Sequence, residues 1–272
     1  MDGLHEKKAR LEEYLRELGS VIVAFSAGVD SPFLLDTAHD VLGDKAVAVT
    51  ACSGVYPQSE LEEAEKFCRS KGIEHMIYEH DALSVEGFAE NPPDRCYRCK
   101  HDLFSHIREI ADKRGIAYIA EGSNLDDEGD YRPGMRAVKE LGIKSPLRES
   151  GLTKADIRAL SEEARLPTWN KPSLSCLASR FVYGSTITAE KLSMVDKAEQ
   201  KLRALGFVQV RVRVHGDVAR IETDRQRFAY IIRPDIADEV TSYFRSLGFR
   251  YVSLDLAGYK SGSMNLTLEN KV

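Results

Sequence analysis

The sequence predicts an α/β protein: a doubly wound, mostly parallel sheet followed by a smaller α+β domain. Three observations carry this. Short apolar runs alternate strictly with helical patterns over the first 122 residues, the signature of strand–helix–strand units. The pattern changes after residue 187, where alternating strands and helices follow a different order. Between the two lies PTWNKPSLSCLASRFVYGST (167–186), too long and too rich in small polar residues for an ordinary connection. The expected division is therefore 1–166, a loop or linker at 167–186, and 187–272.

Residues 5–18 read as an amphipathic helix through Leu11, Leu15 and Leu18. Val21 to Ser26 is a short apolar strand of the kind buried in parallel sheets. A helix over FLLDTAHDVLG ends near Gly43, and Ala46 to Cys52 forms a second strand. Residues 59–72 form a helix stopped by Gly72, IEHMIYE is a third strand, NPPD opens a helix running to about Arg114, and 116–122 is a fourth strand. Residues 123–150 are loop-rich, and Thr153 caps the helix KADIRALSEEARL. In the second half, LRALGFVQVRVRV (202–214) and FRSLGFRYVSLDL (244–256) resemble each other as helix end, Leu-Gly-Phe, then strand. VARIE (218–222) joins the first strand through a turn at His215-Gly216-Asp217, giving the order α-β-β-α-β.

The chain has 272 residues, a net charge of -5 and five cysteines. That length can bury a core without disulfides, and the odd thiol count points to a reducing, cytoplasmic setting. No apolar run approaches the roughly 18 residues of a membrane span, and the charged N-terminus lacks a signal-peptide pattern. The acidic balance argues against a nucleic-acid partner.

SAGVDS (Ser26, Ala27, Gly28, Val29, Asp30, Ser31) sits between a strand and a helix. Unpaired N–H groups and the helix dipole hold anions there, Gly28 allows close backbone approach, and the serines add hydroxyl donors. Asp30 would repel a phosphate, so it implies a metal or a structural role. The loop is neither a Walker A nor a dinucleotide motif. Cys96 and Cys99 form CYRC on the first turn of the helix after NPPD, on one face and three residues apart, beside Arg95, Arg98 and Lys100. Dipole and cations favour thiolate there. CxxC alone fits half a zinc site, a redox pair or part of an iron–sulfur site. Cys176 is the remaining loop thiol; Cys68 and Cys52 read as ordinary buried thiols. On VQVRVRVH the valines point one way, and Gln209, Arg211, Arg213 and His215 the other. That face is either solvated or suited to a phosphate.

The loop resembles that of the PP-loop ATP pyrophosphatases, with Ala27 in place of a usual glycine. Together with EGSNLDDEGDYRPG (121–134), NKPSLSCLASRFVYG (170–184) and VRVRVHGDVARIE (210–222), it makes nearly the whole chain similar to the LarE family. That resemblance implies a sulfur transferase which uses Mg²⁺-ATP to adenylate a pyridinium-3,5-dicarboxylate mononucleotide. The carboxylate becomes a thiocarboxylate, on the way to a nickel-pincer cofactor, and AMP leaves. It implies nucleotide contacts by the loop, by Thr50 and by Gly122, with Asp30 on the metal of the leaving pyrophosphate. Ser179 and Arg180 would stand beside the sulfur donor, and Arg211 and Arg213 on the substrate phosphate. Glu199 and Glu222 align with a metal site whose third carboxylate position reads Tyr230 here; the alternative is that both are surface carboxylates. The resemblance is to the branch in which three cysteines, here Cys96, Cys99 and Cys176, hold a 4Fe–4S cluster. Three thiolates leave one iron open for a sulfide. The other branch uses a lone cysteine, at the position of Cys176, as a sacrificial donor. Expected partners are the nucleotide substrate, a sulfide source and further copies of the chain. Competing readings are a tRNA thiolase of the same superfamily, an amidating PP-loop enzyme and a non-catalytic nucleotide-binding module.

Overall fold

The structure is a computed structural model; it describes residues 3–127, 133–172 and 175–266. The elements in chain order are α1 (Gly3–Leu18), β1 (Val21–Ala24), α2 (Asp30–Leu42), β2 (Ala46–Cys52), α3 (Gln58–Lys71), β3 (His75–Glu79), α4 (Arg95–Arg114) and β4 (Tyr118–Ala120). Three helices follow, α5 (Gly134–Glu140), α6 (Pro146–Glu149) and α7 (Lys154–Glu163). Then come α8 (Ala189–Ala204), β5 (Val210–His215), β6 (Val218–Thr223), α9 (Phe228–Ile231), α10 (Pro234–Ser246) and β7 (Tyr251–Leu254).

Two compact units share the chain. One holds Met1–Ser53, Gln58–Asp81 and Cys96–Leu174; the other holds Gly54–Pro57, Ala82–Arg95 and Ser175–Val272. Two short stretches well inside the expected first domain thus group with the second. Backbone hydrogen bonds do this: Leu177 N–H to Val55 O (2.8 Å), Ile187 N–H to Ala89 O (2.8 Å) and Gly184 N–H to Asn91 O (2.9 Å).

The first unit is built on a parallel sheet of order β3-β2-β1-β4. The two-residue period of β1 explains why it is wound on both faces. Val21 and Val23 pack with Leu11 and Leu15 of α1, Leu34 of α2 and Ile157 of α7. Ile22, between them, packs with Val47, Ile119 and Phe104 and Ile107 of α4. Full burial of each such side chain is worth about 1.5–3 kcal/mol. Strand β1 ends at Ala24, two residues before the expected end, although Phe25 N–H still reaches Val49 O. Thr153 caps α7 as expected: Thr153 Oγ1 accepts from Asp156 N–H (3.2 Å), and Thr153 N–H donates back to Asp156 Oδ2 (2.9 Å).

The second unit has a three-stranded sheet of order β5-β6-β7, antiparallel between β5 and β6 and parallel between β6 and β7. Its hairpin closes through Gly216-Asp217, with Gly216 at φ 60°. The order α-β-β-α-β is present, with the short α9 added after β6. Both Leu-Gly-Phe passages end their helices alike, with Gly206 and Gly248 at positive φ and the following Phe N–H reaching back to Leu202 O and Phe244 O. The likeness is one of caps and not of sheet position, since the strands that follow run in opposite senses relative to β6.

Candidate active site

In a parallel sheet, ligands bind beyond the carboxyl ends of the strands, where the strand order reverses. Here β1 leads to one side into β2 and lies against β4 on the other, so the segments leaving β1 and β4 meet at that point. The segment leaving β1 is Ser26–Ser31. Ser31 Oγ accepts from Ser26 N–H (3.1 Å) and donates to the Ser26 carbonyl, which cross-braces the loop. No side chain caps the N-terminus of α2 at Val29, and uncapped first N–H groups of this kind suit an anion. Ala27 and Gly28 both keep negative φ, so neither position requires glycine for its backbone conformation. The close approach occurs instead at Gly122, leaving β4. A Cβ there would stand 3.1 Å from Ser31 N and 3.3 Å from Asp30 Cβ. Thr50 Oγ1 donates to Phe25 O (3.0 Å) and accepts from His75 Nε2–H (2.8 Å), which ties the β2 end to the start of the loop. Burial pushes the His75 pKa down, consistent with a neutral ring.

Two lysines not singled out from sequence flank the loop. Lys154 Nζ pairs with Asp30 Oδ2 (2.6 Å), and Asn124 Nδ2 lies 3.4 Å from Asp30 Oδ1. Burial still raises the Asp30 pKa against the pull of Lys154, with Asp127 adding to the rise. At the other end, Lys171 Nζ donates to Ala27 O (2.6 Å) and pairs with Glu63. Arg158 holds that arm by donating to Trp169 O and Lys171 O, both at 2.8 Å. The signal that could have found Lys171 is its place in the 167–186 stretch; Lys154 carried none beyond its helix-start position.

The CxxC pair starts α4 as expected, with Cys96 exposed and Cys99 buried. Cys68 is buried, and burial pushes its thiol up to about 12, as an ordinary core thiol should be. Cys176 is half-buried and belongs to the second unit, whereas Cys96 and Cys99 belong to the first. Among the described residues no three His, Cys, Asp or Glu side chains are gathered as a metal-binding group. Residues 128–132 of the EGSNLDDEGDYRPG motif, and 173 and 174 beside Cys176, lie outside the described residues.

In the second unit, Cys176 precedes a single helical turn, Leu177–Arg180, and Arg180 folds back beneath it. Arg180, expected beside the reacting carboxylate or α-phosphate, is fully buried at 0% exposure and its guanidinium is engaged within the second unit. Its Nε and Nη2 grip Glu199 (2.8 and 3.0 Å), and Nη1 donates to Ser175 O (2.8 Å) and Ser179 Oγ (2.9 Å). Arg180 thereby fixes the turn that presents Cys176. Glu199, also at 0%, further accepts from Arg203 (2.7 Å) and Val212 N–H (3.0 Å). Burial raises the Glu199 pKa, but Arg180 outweighs it and the carboxyl is held below its usual range. Glu222 accepts from Arg213 Nε (2.9 Å), Arg220 (3.1 Å) and Ser263 Oγ (2.8 Å). Glu199 and Glu222 are therefore buried carboxylates held by guanidinium groups, and not the surface carboxylates that were the alternative to a metal site.

The arginine face of β5 is not a solvated one. Arg211 and Arg213 are 2% and 5% exposed. Arg213 Nη1 donates to Ser179 O (3.1 Å), and Arg211 lies over the Tyr259 ring at 5.3 Å. Burial, reinforced by Arg180, lowers the Arg211 pKa to about 10. Sequence reasoning also missed Asn91, which sits at φ 55° and donates Nδ2–H to Val182 O (2.7 Å), holding the chain after the Cys176 turn. Its left-handed backbone is one that asparagine tolerates.

No family model matches the chain. Among relatives, it is 42% identical to the pyridinium-3,5-bisthiocarboxylic acid mononucleotide synthase of Lactiplantibacillus plantarum, over 98% of this chain and 97% of the relative. It is 41% identical to an uncharacterised protein of a Synechocystis species, over 97% and 99%. It is 24% identical to one of the subunits of the glutamine-hydrolysing GMP synthase of Archaeoglobus fulgidus, over 79% and 75%.

Proposed function

The chain belongs to the LarE family of pyridinium-3,5-bisthiocarboxylic acid mononucleotide synthases, and from that membership we propose that it is an ATP-dependent sulfur transferase of nickel-pincer cofactor synthesis. Its substrate is the pyridinium dicarboxylate mononucleotide. The observation that supports ATP use most strongly is the loop Ser26–Ser31, with an uncapped helix start pressed against Gly122. Such a start holds phosphates through its N–H groups and dipole.

In this reading a carboxylate oxygen of the substrate attacks the α-phosphorus of Mg²⁺-ATP, and pyrophosphate leaves. A sulfur nucleophile then adds to the acyl-adenylate, AMP leaves, and a C–S bond replaces a C–O bond. Ser26, Ser31 and the loop amides hold the departing pyrophosphate. Asp30, kept in place by Lys154 and Asn124, would hold the magnesium that neutralises the leaving pyrophosphate. Thr50 and Gly122 border the nucleotide. Arg211 and Arg213 contribute buried positive charge toward the substrate phosphate, and Ser179 stands beside Cys176 on the turn that Arg180 fixes.

Two sulfur sources are consistent with the thiols. In the reading that the family resemblance carries, Cys96 and Cys99, from one helical turn, and Cys176 would hold a 4Fe–4S cluster, which would supply an open iron for sulfide. The second source is the Cys176 sulfur itself, at the start of the turn whose backbone Arg180 holds through Ser175 O and Cys176 O. Mass spectrometry after turnover separates them. Donation from Cys176 lowers its mass by about that of H₂S, with Cys96→Ala and Cys99→Ala still active. Cluster delivery leaves Cys176 intact, fails in those variants and gives multiple turnovers when sulfide is supplied. Release of ADP and phosphate, in place of AMP and pyrophosphate, would refute the ATP reading.

A further inference from the structure

The two ammonium groups beside the phosphate loop differ in what holds them. Lys154 pairs with Asp30, and both side chains are largely covered, at 25% and 22% exposure. Lys171 is covered at 17%, yet its carboxylate partner Glu63 is 51% exposed on the solvent side. The other Lys171 partner is the Ala27 carbonyl, inside the loop itself. An ammonium has three donors, so it can keep the carbonyl while changing its ionic partner. An ion pair with an exposed carboxylate is weak in water. A charge-assisted bond to a phosphate oxygen at a helix N-terminus is stronger.

We propose that Lys171 is a nucleotide-binding residue: its ammonium waits on Ala27 O and Glu63, and exchanges Glu63 for the β,γ-phosphates of ATP when the loop fills. This rests on the reading of Ser26–Ser31 as an ATP loop. The arm is built for the task. Arg158 fixes the backbone on both sides of the lysine, through Trp169 O and Lys171 O, so the ammonium is aimed before the ligand arrives. Preorganisation of that kind lowers the ordering cost of binding. Glu63 keeps the cation from drawing in other anions when the loop is empty.

The test is titration calorimetry of the full chain with Mg²⁺-ATP, inorganic pyrophosphate and AMP. Lys171→Ala should weaken ATP and pyrophosphate about tenfold or more, as loss of one charge-assisted contact does, with AMP little changed. Lys171→Arg should recover part of the loss. Glu63→Gln separates exchange from a merely structural pair: exchange predicts ATP binding equal to or tighter than wild type, because the competing carboxylate is gone. If Glu63→Gln weakens ATP as much as Lys171→Ala does, the pair is structural and the proposal fails. Equal ATP affinity of wild type and Lys171→Ala also overturns it. Failure of the wild-type protein to bind ATP would instead overturn the reading of the loop.

Discussion

Replacing Arg180 by methionine removes the guanidinium while keeping most of the side-chain volume. The wild-type group makes two bonds to Glu199, at 2.8 and 3.0 Å, and ties Ser175 and Ser179 through Nη1. Both partners are fully buried. Removing one member of a buried pair leaves an uncompensated charge, which costs about 3–5 kcal/mol. Arg203 and the Val212 amide still reach Glu199, so the lower end of that range is expected. In a chain of this size the loss corresponds to a fall in melting temperature of about 6–12 °C. Urea unfolding followed by circular dichroism measures it. The double variant Arg180→Met/Glu199→Met should recover much of the stability, since two apolar groups replace the pair. The pH dependence gives a second readout. Glu199 titrates below its ordinary 4.5 when folded, so its contribution is present above that value and is lost as pH falls through the lower folded pKa. In Arg180→Met this acid loss should begin at higher pH. A single variant that loses under about 1 kcal/mol, with an unchanged acid limb, would refute the view of Arg180 as the buried support of the Cys176 turn.

Three further outcomes follow from the geometry. Gly122→Ala places a methyl 3.1 Å from Ser31 N, so it should cost about 1–3 kcal/mol and weaken ATP binding, read by calorimetry and thermal melting. Thr153→Ala removes the cap of α7 and should cost about 1 kcal/mol in urea unfolding, with AMP formation unaltered. Asp30→Asn should abolish pyrophosphate release. Because the Asp30 pKa is raised on folding, its contribution is full below the ordinary 3.8 and is lost as pH rises through the folded value. The variant should therefore gain stability relative to wild type as pH rises past that point, and a constant difference from acid to neutral pH would refute the assignment.

Much of the fold follows from local pattern. The apolar runs of β1 and β2 and the helical spacings around them specify a sheet wound on both faces, because strand and helix periods differ and each must hide its apolar side. Thr153 with Asp156 announces a helix start, and Gly216 a turn, through bonds and dihedrals that span a few residues. The turn Ser26–Ser31 between β1 and α2 was legible for the same reason, since its strand, turn and helix are contiguous. The CxxC spacing likewise placed two thiols on one helical turn.

Charge pairing was not legible. Arg180 reads from sequence as a residue free to meet substrate, and β5 as a strand with one polar face. Their burial depends on Glu199 and Glu222, which approach from other elements, and on the covering of both faces of β5. Lys171 meets Ala27 across 144 positions, and Lys154 meets Asp30 across 124. The sequence by itself determined which elements form and where the Ser26–Ser31 turn lies, since hydrophobic periodicity and capping act over one or two turns. Only the tertiary structure decided which charged groups neutralise one another. That choice turns on desolvation and on distances of about 3 Å between groups remote in the chain, which no local pattern encodes.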